Sequence, residues 1–492
     1  MIVDLNSVPK DALPIGHPNV DELGETMVSV LSKPSFLDVT LSQQVVWILH
    51  CFQAAVTRSL KELAVIRSLV QFHSTRLYKN PELTLADACI LTESIYGLNW
   101  GDAASLFDMR GYDRYGVQPF RHYVRSHRSL VGKRQRISKK KPLKIAYFCH
   151  YADTNRGNAI GPMIRDIIIS HARLSDVQVI CYCVQWVDPV YVDVLAKSGI
   201  VTRVITQELN FSRLVELRLA IIDDAPDVVI SDVASPIASW LFIHRVAAIQ
   251  MYLDPGYPHW NLPELDWVLL PGKTYQRGFE LPANRWTTMR VAMSDKEFDL
   301  PAIRIAERVR ASANMPICFG AFARLVKFTD SWLSAVEELL ARLPQASLLI
   351  VGSGNPVLVQ RLIEHPDYAD RVSLVNEMVD IKSYQDKIDV FLDTFPFIGG
   401  LVCREFMGYG VPVVSVLSGE WDEMLRDQRD PLLLAESTDE FVEIVQRLVE
   451  DVEFYQLASK TSIRLAMKHN QPEAMVQDIE DGIRSAMNYY KF

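Results

Sequence analysis

The sequence predicts an α/β protein with two Rossmann-like lobes in tandem, preceded by an all-helical N-terminal domain. Three observations support this fold class. Apolar residues from Leu41 to about Tyr96 recur only at helical spacing, short β-rich runs alternate with helical stretches after Pro142, and a second series of such runs begins at Pro316. With 492 residues, of which 49% are hydrophobic, the chain is long enough to bury several cores.

The composition narrows the class of function. A formal net charge of −9, from 51 basic and 60 acidic residues, argues against general binding to nucleic acids, which requires clustered positive charge. The seven cysteines are an odd number scattered through apolar stretches, which is typical of a reducing cytoplasm. The first residues lack the pattern of a signal peptide, and no run of about 18 apolar residues predicts a membrane span. We therefore expect a cytoplasmic protein without nucleic-acid partners.

The helical domain is predicted over residues 1–140, with a basic linker at its end. Val45, Ile48 and Leu49 lie at the spacing of one helical face. Residues 125–142 concentrate lysine and arginine directly before a β-rich run, which predicts a solvated linker. A nucleic-acid or membrane-surface role for this segment is the alternative, but the segment lacks the interleaved aromatic residues that such surfaces use.

The first lobe is predicted over residues 141–285. Its β-rich runs are, in chain order, KIAYFC, VQVICYCV, VTRVITQ, DVVISDV, AIQMYLD and WVLLPG. Apolar runs separated by helices are typical of a mostly parallel sheet. Cys181 and Cys183 lie on one face of their strand, and packing explains them better than metal binding because no second pair of ligands is near in the sequence. The sequence therefore predicts no metal site.

The second lobe is predicted over residues 286–492, together with the C-terminal helices. Its β-rich runs are, in chain order, ICFGAFA, SLLIVGSG, VSLVNEM, VFLDTFP, VPVVSV and LLLAES. Amphipathic stretches such as SWLSAVEELLARL separate them. Residues 282–303 contain two prolines and little periodicity, which predicts a joint between the lobes with a cleft beside it.

Ligands of doubly wound sheets bind beyond the carboxyl ends of the strands, so the loops after these runs are the candidate site. The loop after KIAYFC is polar and carries His150 and Asp153. Asp153 is a candidate general base for an acceptor, with a helix N-cap or a solvated loop acid as the alternative. His150 is the second candidate base, because histidine titrates in the right range, although a histidine at a strand end often serves packing.

The loop FARLVKFTD, in the second lobe, carries Arg324 and Lys327. Residues three apart can converge on one diphosphate, and an acidic protein needs such local cations to bind a nucleotide. The alternative is that both residues merely begin a solvated helix. Positive residues at a helix start oppose the helix dipole, however, so ligand binding is the better explanation.

Two further loops of the second lobe contain glycine pairs. Gly352, in IVGSGNP, allows a tight turn near a ligand and mainly supports the lobe assignment. The segment from 389 to 416 combines a strand, a turn with Gly399 and Gly400, and a helix that begins before Glu405. Free helix amides suit phosphate, and a carboxylate suits ribose hydroxyls. An ordinary strand-helix-strand unit is the alternative, but it does not explain a glutamate among apolar residues such as Phe406.

This last segment resembles the C-terminal lobe of GT-B glycosyltransferases. DTFPF, followed by an acid and GVPVV, is most similar to glycosyltransferase family 41, which includes O-linked GlcNAc transferases and bacterial adhesin N-glucosyltransferases. The resemblance covers roughly residues 143–487. It implies a UDP-sugar donor whose diphosphate contacts Lys327 and whose ribose is held by Glu405, in place of the family's usual aspartate. It also implies that the uracil lies near Asn376 and Met378.

The chain departs from that family at several places. The His-Thr-Thr run of O-GlcNAc enzymes is Gly400-Leu401-Val402 here, and NRGNAIGPM contains no histidine where the family often has one. Retaining GT-B enzymes of the sucrose-synthase kind usually carry a second glutamate at the position of Phe397. The resemblance therefore favours inversion.

Three hypotheses of function follow. The first is an inverting glycosyltransferase that moves a hexose, of the glucose or GlcNAc type, from a UDP-sugar to a protein or peptide side chain without a cofactor or metal ion. The second is transfer to a glycan or a lipid-linked acceptor, which shares all the donor-site features. The third is a non-catalytic binding or scaffold protein with the GT-B architecture, which the missing loop histidine permits.

Overall fold

A computed structural model gives the fold of residues 23–58, 62–101, 110–127, 137, 142–150, 152–153, 160–185, 187–206, 211–254, 260–270, 285–292, 315–354, 356–377, 379–419 and 421–491. Helices come first along the chain and two parallel sheets flanked by helices follow, so the predicted fold class is confirmed. Met378 and most of the predicted basic linker lie outside the described residues.

The N-terminal region is helical, as predicted. The second helix buries Val45 and Ile48, because residues about one turn apart share a helix face. The turn Asp113–Val117 is a π-helix between two α-helical pieces. The helices of this region are Leu23–Ser32, Leu41–Arg58, Leu63–Leu77, Leu85–Gly101, Arg110–Tyr112 and Gln118–Ser126, with a 3₁₀ turn at Pro34–Leu37.

The helical domain shares one hydrophobic core with the first lobe. Tyr112 of the helical domain and Trp260 of the first lobe belong to the same buried cluster. The Tyr112 hydroxyl donates a hydrogen bond to the Ala234 carbonyl. Arg121 makes a bidentate ion pair with Glu264, with two N–O distances of 2.8 Å. The helical domain is therefore packed firmly onto the first lobe.

Among the described residues, seven parallel strands form the sheet of the first lobe, in the order β3-β2-β1-β4-β5-β6-β7. β1 lies inside the sheet between β2 and β4, and it is buried from Ile145 to Cys149. The strands are β1 (Leu143–Cys149), β2 (Val177–Gln185), β3 (Val201–Thr206), β4 (Val228–Ser231), β5 (Ile249–Leu253), β6 (Trp267–Leu270) and β7 (Trp286–Thr288). The helices of this lobe are Ile160–Leu174, Pro189–Lys197, Phe211–Asp224 and Pro236–Ile243.

In the part of the second lobe that the structure describes, six parallel strands form the sheet, in the order β10-β9-β8-β11-β12-β13. They are β8 (Ile317–Phe322), β9 (Ala346–Val351), β10 (Val372–Val375), β11 (Val390–Leu392), β12 (Val413–Val416) and β13 (Leu434–Ala435). The helices after β8 are Asp330–Arg342, Val357–Ile363, Leu401–Gly408, Asp422–Gln428, Thr438–Glu450, Val452–His469 and Pro472–Tyr489. Among the described residues, no helix combines the length and the apolar character that a membrane crossing requires.

Two elements differ from the predicted division at residue 285. β7 pairs with β6 and so extends the first sheet beyond that point. The last helix, Pro472–Tyr489, returns from the second lobe and packs on the first one. Its buried apolar residues join the first-lobe core, namely Met475, Ile479, Ile483 and Ala486. The bidentate Arg290–Asp478 ion pair, at 2.6 and 2.7 Å, fastens this helix at the edge of the lobe.

Cys149, Cys181 and Cys183 form a buried thiol cluster in the first lobe. The Cys181 Sγ lies 3.5 Å from the Cys149 Sγ and 3.6 Å from the Cys183 Sγ, and all three are free thiols. Burial raises the pKa of the Cys149 thiol, which keeps the thiol protonated. Within the described ranges, no group of three or more histidine, cysteine or carboxylate residues is placed to bind a metal ion. The three cysteines therefore serve as core residues.

Candidate active site

The strand order of the second sheet brings two of the predicted loops together. β8 and β11 are neighbours, so the loops after them meet at the carboxyl edge of the sheet, where doubly wound folds bind ligands. The Lys327 Nζ, after β8, donates a hydrogen bond of 3.1 Å to the Ile398 carbonyl, after β11. The Thr329 hydroxyl donates a hydrogen bond of 2.9 Å to the Phe395 carbonyl. The loops of Lys327 and of Gly399 thus form one surface.

The loop of residues 393–400, which we call the β11 loop, has no regular secondary structure. Side chains nevertheless satisfy six of its carbonyl oxygens; the donors, in order along the loop, are Trp332, Thr329, Ser418, Thr394, Lys327 and Arg429. Buried backbone carbonyls without a partner are costly, so these bonds select one conformation of the loop. The loop is therefore shaped before any ligand arrives.

A buried pair of opposite charges joins Asp393, the first residue of the β11 loop, to Arg429. Asp393 is 0% exposed and Arg429 is 2% exposed, and the Arg429 Nη2 lies 4.0 Å from the Asp393 Oδ2. The Asp393 Oδ1 accepts hydrogen bonds from the amides of Thr394, at 2.9 Å, and Gly399, at 2.6 Å. The Ser415 hydroxyl donates to the Asp393 Oδ2 at 2.7 Å. Sequence reasoning missed both charged residues; the signal for Asp393 was an acid directly after a buried strand.

Lys327 is the cation that the structure places closest to the β11 loop among the predicted site residues. Its Nζ lies 4.4 Å from the centre of the Phe397 ring, at cation–π distance. Burial, and to a smaller extent the positive charge of Arg324, lower the pKa of Lys327 to about 8, against opposing effects of Asp393 and Cys403. An anionic ligand here would restore the charged form, because an opposite charge raises the pKa of an amine.

The helix Leu401–Gly408 begins where the β11 loop ends. Gly399 must be glycine, since a Cβ there would lie 2.6 Å from the Cys403 Sγ and 2.9 Å from the Asp393 Oδ1. A Cβ on Gly400 would meet nothing within 4 Å, so the space before the helix is open. The first amides of a helix have no acceptor within the helix. Glu405, half-buried, lies in the second turn of the same helix.

The other predicted residues of the second lobe lie in neighbouring loops at the same edge. Gly352 follows β9, and a Cβ there would overlap the Ala323 carbonyl oxygen at 1.7 Å, so only glycine allows the β8 and β9 loops to approach this closely. Asn376 follows β10 and accepts a hydrogen bond of 3.2 Å from the Gly354 amide. Arg324 immediately precedes the 3₁₀ turn of Lys327. Nothing can be added for Met378, which is outside the described residues.

His150 and Asp153 follow β1 in the first lobe. The His150 amide donates to both carboxylate oxygens of Asp232, at 3.0 and 3.2 Å. Asp232 is buried and follows β4 directly. It is a third residue of the site region that sequence reasoning missed. The described part of the next helix starts at Ile160, and residues 154–159 between Asp153 and this helix lie outside the described residues. Asp153 therefore stays a candidate base, with a helix cap or a solvated loop acid as the alternative.

The two candidate edges are connected by direct contacts between the lobes. Leu401, at the start of the helix Leu401–Gly408, packs against the first-lobe core cluster that contains Cys149 and Ala152. On the same helix, the buried Arg404 guanidinium donates a hydrogen bond to the Val291 carbonyl of the first lobe. The first turn of this helix therefore contacts the first lobe.

A cavity of about 490 Å³ lies at this joint. None of the predicted site residues that the structure describes lines it. Its wall carries the charged side chains of Arg290, Arg404, Glu423, Asp427 and Asp478, together with His469. The cavity therefore belongs to the junction of the lobes and not to the edge that carries Lys327.

Part of the chain is similar in sequence to known glycosyltransferases. Residues 314–451 match the family model described as glycosyl transferases group 1. Two curated plant proteins, each a probable UDP-N-acetylglucosamine–peptide N-acetylglucosaminyltransferase SPINDLY, are 24% identical over 201 residues (Petunia hybrida) and 23% identical over 195 residues (Solanum lycopersicum). Each match covers 37% of this chain, and the chain spans only 21% and 20% of those relatives.

Solved structures show the same fold over more of the chain. A mutant of the O-GlcNAc transferase of Thermobaculum terrenum superposes with a TM-score of 0.55 at 16% identity, covering 96% of this chain and 98% of its own. The Anabaena protein HepE, in complex with UDP and glucose, has a TM-score of 0.53 at 16% identity and covers 70% of this chain and 100% of its own. The chain therefore has the GT-B fold of two Rossmann-like lobes, and residues 314–451 of its second lobe are similar to the glycosyl transferases group 1 family.

Proposed function

We propose that the protein is an inverting glycosyltransferase that moves a hexose from a UDP-sugar to a protein or peptide side chain. The observation that carries the proposal is the surface formed by Lys327 and the β11 loop. There a partly buried cation lies beside a pre-shaped turn that leads into a helix start with open space before it. This combination suits a diphosphate.

The donor is proposed from this surface together with the comparisons. Lys327 and Arg324 supply positive charge within an acidic chain, and the amides that follow Gly400 supply hydrogen-bond donors. Glu405 stands one turn farther along the same helix, where a carboxylate would accept hydrogen bonds from ribose hydroxyls. The HepE complexes contain UDP or UDP-glucose, which supports a UDP-sugar as the donor here.

The acceptor is proposed from the names of the relatives and from the first lobe. The plant relatives are described as acting on peptides. In the first lobe, Asp153 and His150 lie after β1, near the core cluster that Leu401 contacts. Asp153 is the proposed base that takes a proton from the acceptor, and His150 is the second candidate. No cofactor is proposed beyond the donor substrate.

The proposed reaction divides its charges between the lobes. The acceptor atom attacks the sugar carbon as its proton passes to the base, the bond from that carbon to the diphosphate breaks, and UDP leaves. Lys327, Arg324 and the helix amides would then stabilise the negative charge that develops on the diphosphate, an effect that in enzymes typically lowers the barrier by several kcal/mol.

The test is a transfer assay with the purified chain, with UDP-glucose and UDP-GlcNAc offered alongside peptide, glycan and lipid-linked acceptors. We expect a mass increase of one hexose unit on a peptide, and we expect Lys327→Ala to reduce turnover by about a hundredfold or more while the protein stays folded. Lys387→Ala is the matched control, because the Lys387 Nζ also lies over an aromatic ring. Its distance to the centre of the Tyr384 ring is 4.8 Å. Product on a glycan or a lipid only would reject the peptide acceptor, and tight UDP binding without any transfer would favour a binding protein.

A further inference from the structure

The buried pair Asp393–Arg429 holds both polar backbone atoms of one residue, Gly399. The Asp393 Oδ1 accepts a hydrogen bond of 2.6 Å from the Gly399 amide, and the Arg429 Nη2 donates a hydrogen bond of 3.0 Å to the Gly399 carbonyl. The two charges come from different segments, one after β11 and the other after the helix Asp422–Gln428. Gly399 is thus fixed from two sides at a single position of the β11 loop.

Stability alone does not explain a pair of this kind. Moving two charges out of water costs several kcal/mol for each ion, and apolar residues of similar volume often replace such a pair without loss. Asp393 and Arg429 bind loop backbone through several hydrogen bonds, which is the geometry that compensates such burial. The pair therefore determines the shape of the loop more than the strength of the core.

Gly399 is a sensitive position because it precedes the start of the helix Leu401–Gly408. A rotation of its peptide would redirect the amides of the residues after it, which face open space at Gly400. Lys327 holds the preceding carbonyl, that of Ile398, so the two peptide groups before the helix are held by three charged side chains. Small angular errors matter here, because binding groups must keep their productive geometry closely.

We propose that Asp393 and Arg429 are positioning residues for the diphosphate of the donor. They fix Gly399 so that the first amides of the helix point toward the diphosphate, and they touch neither the nucleoside nor the acceptor. This inference rests on the proposed function, since it assumes that the helix start binds the donor. It predicts a loss that is confined to the diphosphate half of the ligand.

The test compares the affinities of UDP and of uridine, measured by calorimetry and by ligand-observed NMR. The main variant is Asp393→Asn combined with Arg429→Met, which removes both charges together and retains an acceptor for the Gly399 amide. Ser415→Ala is a milder second variant, because it removes only the hydroxyl that donates to the Asp393 Oδ2. The matched control is Arg371→Met, since Arg371 donates to backbone carbonyls at the opposite edge of the sheet, including that of Ala346 at 2.9 Å.

We expect the double variant to bind UDP about tenfold more weakly and uridine within about twofold of wild type. Ser415→Ala should show a smaller loss in the same direction, and Arg371→Met should lower the melting temperature without changing the ratio of the two affinities. Equal losses for UDP and uridine, or unchanged UDP binding in folded variants, would overturn the inference. If wild-type protein binds no UDP, the donor proposal itself fails, and the positioning role fails with it.

Discussion

Lys327 and Arg429 are both shielded from bulk water, but their side chains have different hydrogen-bond partners. Arg429 is buried and donates a hydrogen bond to the Gly399 carbonyl, so its guanidinium serves to hold the folded structure. Lys327 keeps one hydrogen bond to the Ile398 carbonyl and a contact with the Phe397 ring, and no carboxylate of the described residues lies within ion-pair distance of it. A lysine with one bond and a lowered pKa can still respond to an arriving anion.

UDP binding should weaken as pH rises from 7 to 9. The pKa of Lys327 in the free protein is lowered to about 8 from its ordinary 10.5, so the side chain loses its charge through this range. We expect UDP affinity to fall about tenfold, because a charge-assisted hydrogen bond is replaced by a neutral one. Calorimetry in buffers of different ionisation enthalpy should also show that UDP binding takes up protons above pH 8.

The control for this prediction is Lys327→Arg. Arginine stays charged throughout the range, so this variant should bind UDP with nearly constant affinity between pH 7 and 9. If the wild type shows the same flat profile, then Lys327 does not contact the diphosphate.

His171 is a second residue whose charge is set by burial, and here stability is affected. Its ring is fully buried in the first lobe with a hydrogen bond of 2.7 Å to Tyr147, and burial lowers the pKa of His171 to about 4 from 6.5. Between pH 6.5 and 4 the unfolded chain binds a proton that the folded one does not, so stability is lost as pH falls through this window. The free energy of unfolding should drop by up to about 3 kcal/mol.

The variant that checks this is His171→Gln, which keeps a hydrogen-bonding partner for Tyr147. Its unfolding free energy, followed in urea, should depend less on pH below 6.5 than that of wild type, while the difference between the two proteins stays constant above 6.5. Parallel profiles over the whole range would show that His171 is not the titrating group.

The helix Leu401–Gly408 carries two neighbouring residues with separate surroundings. Arg404 is buried, and its Nη1 donates a hydrogen bond to the Val291 carbonyl of the first lobe, while its Nη2 donates one of 3.2 Å to the Gln428 Oε1. Glu405 is the proposed partner of the donor ribose. A helix turns by about 100° per residue, so adjacent positions can serve different neighbours. One short element thus links the proposed donor site to the contact between the lobes.

Glu405→Gln should remove the preference for ribose over deoxyribose. If the carboxylate accepts hydrogen bonds from ribose hydroxyls, UDP affinity should fall about tenfold, whereas the affinity for 2′-deoxy-UDP should change less. Competition calorimetry with both nucleotides measures the ratio. Glu423→Gln, on the next helix and in the wall of the cavity between the lobes, is the matched control. An unchanged ratio in Glu405→Gln would remove this residue from the site.

The two lobes repeat one plan at the scale of the whole molecule. In each sheet the first strand lies beside the fourth, and a buried aspartate follows that fourth strand directly, Asp232 after β4 and Asp393 after β11. Each aspartate accepts hydrogen bonds from backbone amides. Asp232 accepts from the amide of His150, and Asp393 accepts from the amides of Thr394 and Gly399. Both aspartates therefore order the loops at the point where doubly wound sheets bind ligands.

The division of labour between lobes predicts that Asp153→Asn separates chemistry from donor binding. If Asp153 is the base that faces the acceptor, as proposed, turnover should fall about a hundredfold while UDP affinity stays unchanged. Asp188→Asn is the control, because Asp188 is a helix cap in the same lobe and accepts the Val190 amide at 2.9 Å. Unchanged turnover of Asp153→Asn at saturating substrates would leave His150 as the next candidate base.

The strands and the loops at their ends were predictable because of how parallel sheets are buried. Strands that are covered on both faces are nearly continuous apolar runs, as in VVIS of β4, and such runs are visible in the sequence. Glycines and cations directly after such a run indicate a ligand-binding loop at the carboxyl end of the strand. Arg429 was not predictable, since DQRDP has the composition of a surface turn and its burial depends on the β11 loop folding over it. Amphipathicity likewise predicts the helix Pro472–Tyr489 but cannot tell which lobe it covers.

The return of the helix Pro472–Tyr489 constrains the order of events on the ribosome. Synthesis proceeds from the N-terminus, so β1 to β7 emerge well before Met475, Ile479 and Ile483, which fill the core of the same lobe. Until those residues are made, the nascent first lobe exposes an apolar groove that the finished protein covers. Chaperones that recognise exposed apolar surface would therefore encounter this lobe during translation and release it once the last helix docks.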